Sequence, residues 1–260
     1  MKKKVFIPIF LAAMAFPLCL SQKAQGLSAQ FIGDFNDKNT YLQYGLSVNA
    51  QMADEGFVLL KNDGTLPLPE GSKVSVVGKA SIKLAKGGGG SGDAQVSGGV
   101  TEVTMKASLT DAGFVTNPNT ENFYNNSSKS GNGRTNGNDS WKGNSQVTIG
   151  ETDINKVTGE AGLVDSFKNY NDAAIQVITR EGSEGCDVKT CNAHDSTSTS
   201  SSNKKISEKH ALELSDNEQA LFDLLHEHFE HIIIVINSSN IFECGQFEDD
   251  PKVADRKSVV

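Results

Sequence analysis

Glu184 lies in the segment Arg180-Glu-Gly-Ser-Glu-Gly-Cys-Asp187, where glycine and serine neighbours would let a carboxyl group reach outward from the backbone. A carboxyl group so placed could give or take a proton at a reacting oxygen. Surface carboxylates are common, so the residue types alone also fit an ordinary solvated loop side chain. Glu181 is a near competitor, and Arg180 and Asp187 could pair to hold the ends of the segment. A second stretch, Lys86-Gly-Gly-Gly-Gly-Ser-Gly-Asp93, also invites chemistry. Glycines in series are entropically costly and suit a close approach of backbone to something else. Three readings fit the glycines: a flexible linker, a phosphate cradle between strand and helix, or another ligand site. Phosphate capture of the P-loop kind requires a Gly-Lys-Ser/Thr that does not follow here. No ribose-binding acidic residue can be assigned either, so a nucleotide-binding domain is the least favoured reading.

Both segments follow apolar runs with strand character. Lys73–Gly78 (KVSVVG) precedes the glycines, and Ala173–Arg180 (AAIQVITR) leads into Glu184. Both suit strands covered on two faces. Ile232–Asn237 (IIIVIN) is a third such run. Between them, Val100–Ala112 reads as a helix stopped by Gly113. Ser215-Asp-Asn-Glu218 is a capping box opening a helix with the stripe Leu221, Leu225 and Phe229. Upstream, Leu42, Leu46, Ala50, Ala53 and Phe57 recur at helical spacing until Gly56, with a turn at Asp63-Gly64. Strand, loop and helix thus repeat. The expected fold is α/β: a three-layer sandwich with a mostly parallel sheet and helices on both faces. Ligands of such sheets bind beyond the carboxyl ends of the strands. The loops after Val77, Ile178 and Ile236 are therefore expected to share one active edge.

Asn117–Lys156 is rich in Asn, Ser and Gly. It reads as an exposed polar insertion, with one short strand near QVTIG, a lone Trp141 and Asn-x-Ser sequons at Asn125, Asn126 and Asn138. A low-complexity tract, STSTSSSN, precedes the capping box. The 260 residues carry 24 basic and 32 acidic side chains, a balance that argues against a nucleic-acid partner. The start, MKKK followed by VFIPIFLAAMAFPLCL, reads as a secretory signal peptide spanning residues 1–26, cut after Ser21 or Gly26. No membrane association is expected after its removal. Export permits disulfides. Cys186, Cys191 and Cys244 remain, so a local Cys186–Cys191 bridge and three buried thiols both fit. No paired Cys/His spacing suggests a metal.

The ordered set AxEGxVLLKNDGTLPL (Ala53–Leu68), KVSVVG, KGGGGSGD, REGSEGCD, SDNEQALFDLL and IIIVINSSNIFE resembles glycoside hydrolase family 3, the β-glucosidases and β-xylosidases. The likeness is to the family's α/β-sandwich domain over residues 27–254, not to its TIM-like barrel. The resemblance implies that Glu184 is the general acid/base of a retaining mechanism. It also implies that Lys86, Gly89, Gly90, Ser91, Gly92, Asp93, Arg180 and Asp187 bind the substrate, the last two from positions flanking Glu184. No cofactor is implied, because two carboxylates suffice. Two departures from the family pattern bear on specificity: Val188 replaces an arginine, and Ser239 and Ile241 interrupt an Asn-x-Gly-Asn-Pro pattern.

A retaining glycosidase needs a nucleophile roughly 5–5.5 Å from the acid/base. The family carries it on the barrel, and the chain is far shorter than sandwich plus barrel would require. The resemblance therefore implies a fragment of a sandwich-first enzyme, inactive alone, whose missing partner is a barrel and whose substrates are β-linked oligosaccharides. The last residues, DRKSVV, match read-through of a common sequencing adapter, so residues 255–260 are expected to be a non-native tail. The alternative function is a non-catalytic carbohydrate-binding or interaction module of the same fold.

Overall fold

The computed structural model describes residues 33–35, 37–85, 103–133, 150–180, 209, 212–238 and 241–259. The chain divides into two units, residues 1–54 and 55–260. In the first, Asp37 opens helix α1 (Lys38–Gly56) by accepting from the backbone and hydroxyl of Thr40 at 2.9 and 2.6 Å. These hydrogen bonds hold the Asp37 carboxyl below its ordinary pKa. Phe35 packs on Tyr41 and Tyr44, with ring centroids 5.7 and 5.0 Å apart. The helix ends at Gly56 as expected, but its apolar stripe buries nothing. Phe57, read as the last residue of that stripe, instead starts a strand.

The second unit contains one six-stranded sheet. Its strands are β1 (Phe57–Asn62), β2 (Lys73–Val77), β3 (Val115–Thr116), β4 (Ala173–Arg180), β5 (Ile232–Ser238) and β6 (Val253–Val259), in spatial order β1-β6-β5-β4-β2-β3. All neighbours are parallel except β1, which runs antiparallel along β6. Counted within the parallel set alone, the order is 2-1-3-4-5, a doubly wound sheet whose direction of progression reverses between β2 and β4. Residues 255–259, expected to be a non-native tail, here run as strand between β5 and β1.

Two-sided burial explains the near-continuous apolar runs. Every residue of β4 is buried, and all of β5 except half-buried Val235. Side chains alternate between faces along a strand. Ala174, Ile178, Ile232, Ile234 and Ile236 therefore join one core cluster, while Ala173, Ile175, Val177 and Ile233 join another. Helix α2 (Met105–Asp111) covers the second cluster through Met105 and Leu109. The first is covered by α3 (Pro118–Asn125), α5 (Ile154–Gly159), α6 (Leu163–Ser166), α7 (Asp216–His228) and α8 (Gly245–Glu248), with the short α4 (Ser127–Ser130) following α3. The result is the expected three-layer sandwich. The α7 stripe of Leu221, Leu225 and Phe229 faces the core.

The stretch read as an exposed polar insertion is different in the structure. Phe123 and Tyr124 are buried in the first core cluster, and Val157 with them. The surrounding polar residues remain largely exposed, and three of them serve as helix caps. Asn117 opens α3, Asn126 opens α4 and Asp153 opens α5, each accepting from a backbone N–H. Asn117 also donates to Ser75 and Ser166 at 3.0 and 2.8 Å, tying α3 to β2. Trp141, Asn138 and residues 146–149 of QVTIG lie outside the described residues, as do Cys186 and Cys191.

Gly78 turns the chain at the carboxyl end of β2 with φ +94°, entering a short 3-10 turn at Lys79–Ser81. A Cβ there would lie 2.8 Å from the carbonyl oxygen of Val177 on β4. Gly78→Ala is expected to cost at least about 2 kcal/mol, from the left-handed backbone and a backbone clash that no rotamer relieves. Urea denaturation of the two proteins checks this; equal midpoints would refute it.

Candidate active edge

At the carboxyl ends of β2, β4 and β5, three sets of contacts fix where the connecting segments begin. The first centres on Arg180, the last residue of β4. Its position is as expected, but its side chain turns inward and is 1% exposed. Nη1 donates to the Thr179 carbonyl at 2.9 Å and to Glu218 Oε1 at 2.8 Å. Nη2 donates to Glu218 Oε2 at 2.6 Å and to the Glu213 carbonyl at 2.8 Å. The Phe242 ring lies 5.0 Å from the guanidinium carbon. Among the described residues, Arg180 and Glu218 thus form a clamp inside the fold.

Glu218 is also the fourth residue of the capping box. Its backbone N–H donates to Ser215 Oγ at 3.2 Å, and its Oε2 accepts from the Ser215 N–H at 2.9 Å. One buried carboxylate therefore caps α7 and neutralises the end of β4. In doing so it ties together the two ends of the excursion that leaves β4 and returns at Glu213.

The second set surrounds Glu151, which is 6% exposed. Its carboxylate accepts from the Lys79 N–H at 3.1 and 2.9 Å and from the Thr152 N–H at 2.7 Å. Lys79 Nζ donates to the Tyr124 carbonyl at 2.6 Å and to Ser130 Oγ at 2.8 Å. Partial burial lowers the Lys79 pKa, with Glu151 opposing the shift. The Tyr124 hydroxyl is fully buried and makes no hydrogen bond. Burial, reinforced by the Glu151 carboxylate, pushes its pKa well above the ordinary range; the nearby Gly78 N–H pulls weakly the other way without hydrogen-bond geometry. A pocket of about 220 Å³ opens between the Lys79–Lys83 turn, the Tyr124–Gly133 segment and Thr179.

The third set joins β5 to the root of the glycine-rich segment. Asn237 Oδ1 accepts from the Ala85 N–H at 2.6 Å, and Nδ2 donates to the Ala85 carbonyl at 3.2 Å. Thr179 Oγ1 donates to the same Oδ1 at 3.4 Å.

The active edge thus brings together Arg180, Glu218, Lys79, Glu151, Thr179 and Asn237. Glu184, Glu181, Asp187, Lys86, Gly89, Gly90, Ser91, Gly92 and Asp93 lie outside the described residues. Sequence reasoning found Glu218 only as a cap. An arginine ending an otherwise uncharged buried strand was the signal that a carboxylate partner had to exist. Lys79, Glu151 and Asn237 gave no local signal.

A doubly wound sheet, one antiparallel edge strand and segments gathered at the carboxyl ends define an α/β-sandwich domain. The chain belongs to glycosyl hydrolase family 3: the family model described as "Glycosyl hydrolase family 3 C-terminal domain" matches residues 57–254. Beta-glucosidase A of Butyrivibrio fibrisolvens is 25% identical over 238 residues, covering 86% of this chain and 26% of that protein. Among solved structures, beta-glucosidase 3B from Thermotoga neapolitana in complex with glycerol aligns with TM-score 0.60 at 22% identity, over 84% of this chain and 27% of that one. The GH3 beta-glucosidase of Bifidobacterium adolescentis aligns with TM-score 0.53 at 15% identity, over 92% of this chain and 27% of that one. The chain spans about a quarter of the length of these relatives.

Two predictions test these contacts. Glu218→Ala leaves a buried guanidinium without its carboxylate and is expected to cost about 3–5 kcal/mol. The double variant Arg180→Met, Glu218→Leu is expected to be less destabilised than Glu218→Ala, because no uncompensated charge remains. Chemical denaturation ranks the variants, and the reverse order would refute the clamp.

Tyr124→Phe removes a hydroxyl that has no partner, so stability at neutral pH is expected to hold or rise. In the native protein the raised folded pKa means that unfolded Tyr124 ionises first. Its ionisation therefore leaves stability unaffected below about pH 10 and lowers it as pH rises beyond that. Denaturation midpoints from pH 9 upward are expected to fall less steeply in Tyr124→Phe; parallel curves would refute this.

Proposed function

We propose that this chain is the acid/base-bearing domain of an exported β-glucosidase-like glycoside hydrolase that acts on β-linked oligosaccharides. The observation that carries this reading is the family match over residues 57–254, whose segment leaving β4 contains Glu184. Glu184 follows Arg180 by four residues in the sequence, and Arg180 ends β4 at the carboxyl edge, where ligands of doubly wound folds bind. In the proposed mechanism Glu184 protonates the glycosidic oxygen as the bond breaks. It then deprotonates the water that releases the sugar from the nucleophile. Lys86, Gly89, Gly90, Ser91, Gly92, Asp93 and Asp187 approach the sugar from the sandwich side. The nucleophile comes from a second domain, a TIM-like barrel, because hydrolysis with retention needs two carboxylates. Coverage of only 26% of beta-glucosidase A supports the need for such a partner. The lysine-rich start followed by an apolar stretch supports export through a signal peptide at residues 1–26.

The test is turnover by this chain joined to a family barrel. Glu184→Ala is expected to slow hydrolysis of an alkyl β-glucoside by roughly 10²–10⁴-fold, the usual worth of a positioned acid. A dinitrophenyl β-glucoside, whose leaving group needs no proton, is expected to retain much faster glycosyl transfer. Unchanged turnover of both substrates would remove Glu184 from the mechanism. Sugar binding without turnover by the joined wild-type protein would instead favour a carbohydrate-binding module.

A further inference from the structure

Tyr124 carries a hydroxyl that the fold does not use. The residue is 1% exposed within the first core cluster, and its hydroxyl makes no hydrogen bond. Phenylalanine would fill the same space without leaving a polar atom unpaired, so packing does not account for the oxygen. Among the described residues one other buried side-chain atom lacks a partner, Gln176 Oε1. That amide is already held through Nε2, which donates to the Glu218 carbonyl at 3.0 Å. Tyr124 differs because it lines the pocket of about 220 Å³ beside the Lys79–Lys83 turn. Its hydroxyl feels the Glu151 carboxylate, another wall of that pocket, and the Gly78 N–H where the turn begins.

The walls indicate what would fit. At ~30 Å³ per water the pocket has room for about seven waters, more than one bridging water needs and enough for a single ring-sized molecule. Three of its ionic groups are committed within the fold. Lys79 Nζ donates to the Tyr124 carbonyl and Ser130, Glu151 accepts from backbone N–H groups, and Glu218 pairs with Arg180. The neutral groups of the walls are the Tyr124 hydroxyl and the side chains of Asn125, Ser127 and Asn132. Each can both donate and accept. A phosphate asks for donors alone and an ammonium for acceptors alone, whereas the hydroxyls of a polyol also do both. Ala80 and Ile82 add an apolar wall that the C–H face of a sugar ring could cover. We propose that this pocket is a binding site for a neutral polyol of monosaccharide size, anchored by the buried Tyr124 hydroxyl. The proposal stands on these walls and does not require the glycosidase reading. An occupant bonded to Tyr124 would brace α3 against the turn after β2, the two parts that Lys79 already joins.

Titration calorimetry of the 260-residue chain with D-glucose tests this, and amide hydrogen exchange locates the contact. The wild-type chain is expected to bind, with exchange slowed at least about threefold at Lys79–Lys83 and Asn125–Gly133. Tyr124→Phe is expected to weaken binding about tenfold, because a sugar hydroxyl loses its buried partner. That variant is expected to be at least as stable as the wild type, so weaker binding would not reflect unfolding. Equal affinity in Tyr124→Phe, or slowed exchange only outside those two segments, would overturn the proposal. So would the absence of binding at about 50 mM glucose. Inorganic phosphate is the competing probe, since exposed Lys83 could attract it. Phosphate binding at the same segments without glucose binding would mark an anion site and also overturn the proposal. If a chain joined to a barrel does not turn over glucosides, the glycosidase reading fails, and these measurements still decide what the pocket binds.

Discussion

Arg180 ends a strand that is buried along its whole length, so its charge has to be neutralised inside the fold. Placing a guanidinium in such an environment unpaired would cost more than most single interactions return. Glu218 meets that requirement, and in doing so it fixes where α7 starts, because the same carboxylate closes the capping box with Ser215. The start of α7 sets which residues face the sheet. Leu221, Leu225 and Phe229 then fall on the core side over the even-numbered residues of β4 and β5. Arg180 also reaches the Glu213 carbonyl, so the pair brings the end of β4 and the approach to α7 to one place.

Among the described residues, the segments at the carboxyl edge are held by buried or half-buried side chains from elsewhere in the chain. Glu151 holds the turn after β2, Lys79 holds α3 and α4, and Asn237 holds Ala85. Most of these bonds run from a side chain to backbone, which suits an edge where strands have ended and peptide groups need new partners.

Much of the fold was legible because its signals are local. The apolar runs of β2, β4 and β5 report two-sided burial directly, and the limits of β4 agree with the sequence reading residue for residue. The Ser215–Glu218 box marks the start of α7 within four residues of chain. Asn117–Gly133 was misread for a physical reason: Asn and Ser are typical both of solvated loops and of helix caps, and here they cap short helices that bury Phe123 and Tyr124. Composition does not distinguish the two uses. The stripe on α1 shows the converse, since helical spacing of apolar residues predicted the helix but not a surface for it to cover.

The sequence by itself determined the α/β class, the main strands, the capping box and the ordered motifs of glycosyl hydrolase family 3. Those features depend on neighbours within a few positions, where spacing alone sets geometry. The tertiary structure decided which side chains meet at the carboxyl edge. Arg180 and Glu218 are 38 residues apart, and Ala85 and Asn237 are 152 apart. Each pair meets only because the strands assemble in the order 2-1-3-4-5, which places β4 between β2 and β5. Strand order arises from how whole elements bury their faces against one another, and no local spacing encodes it.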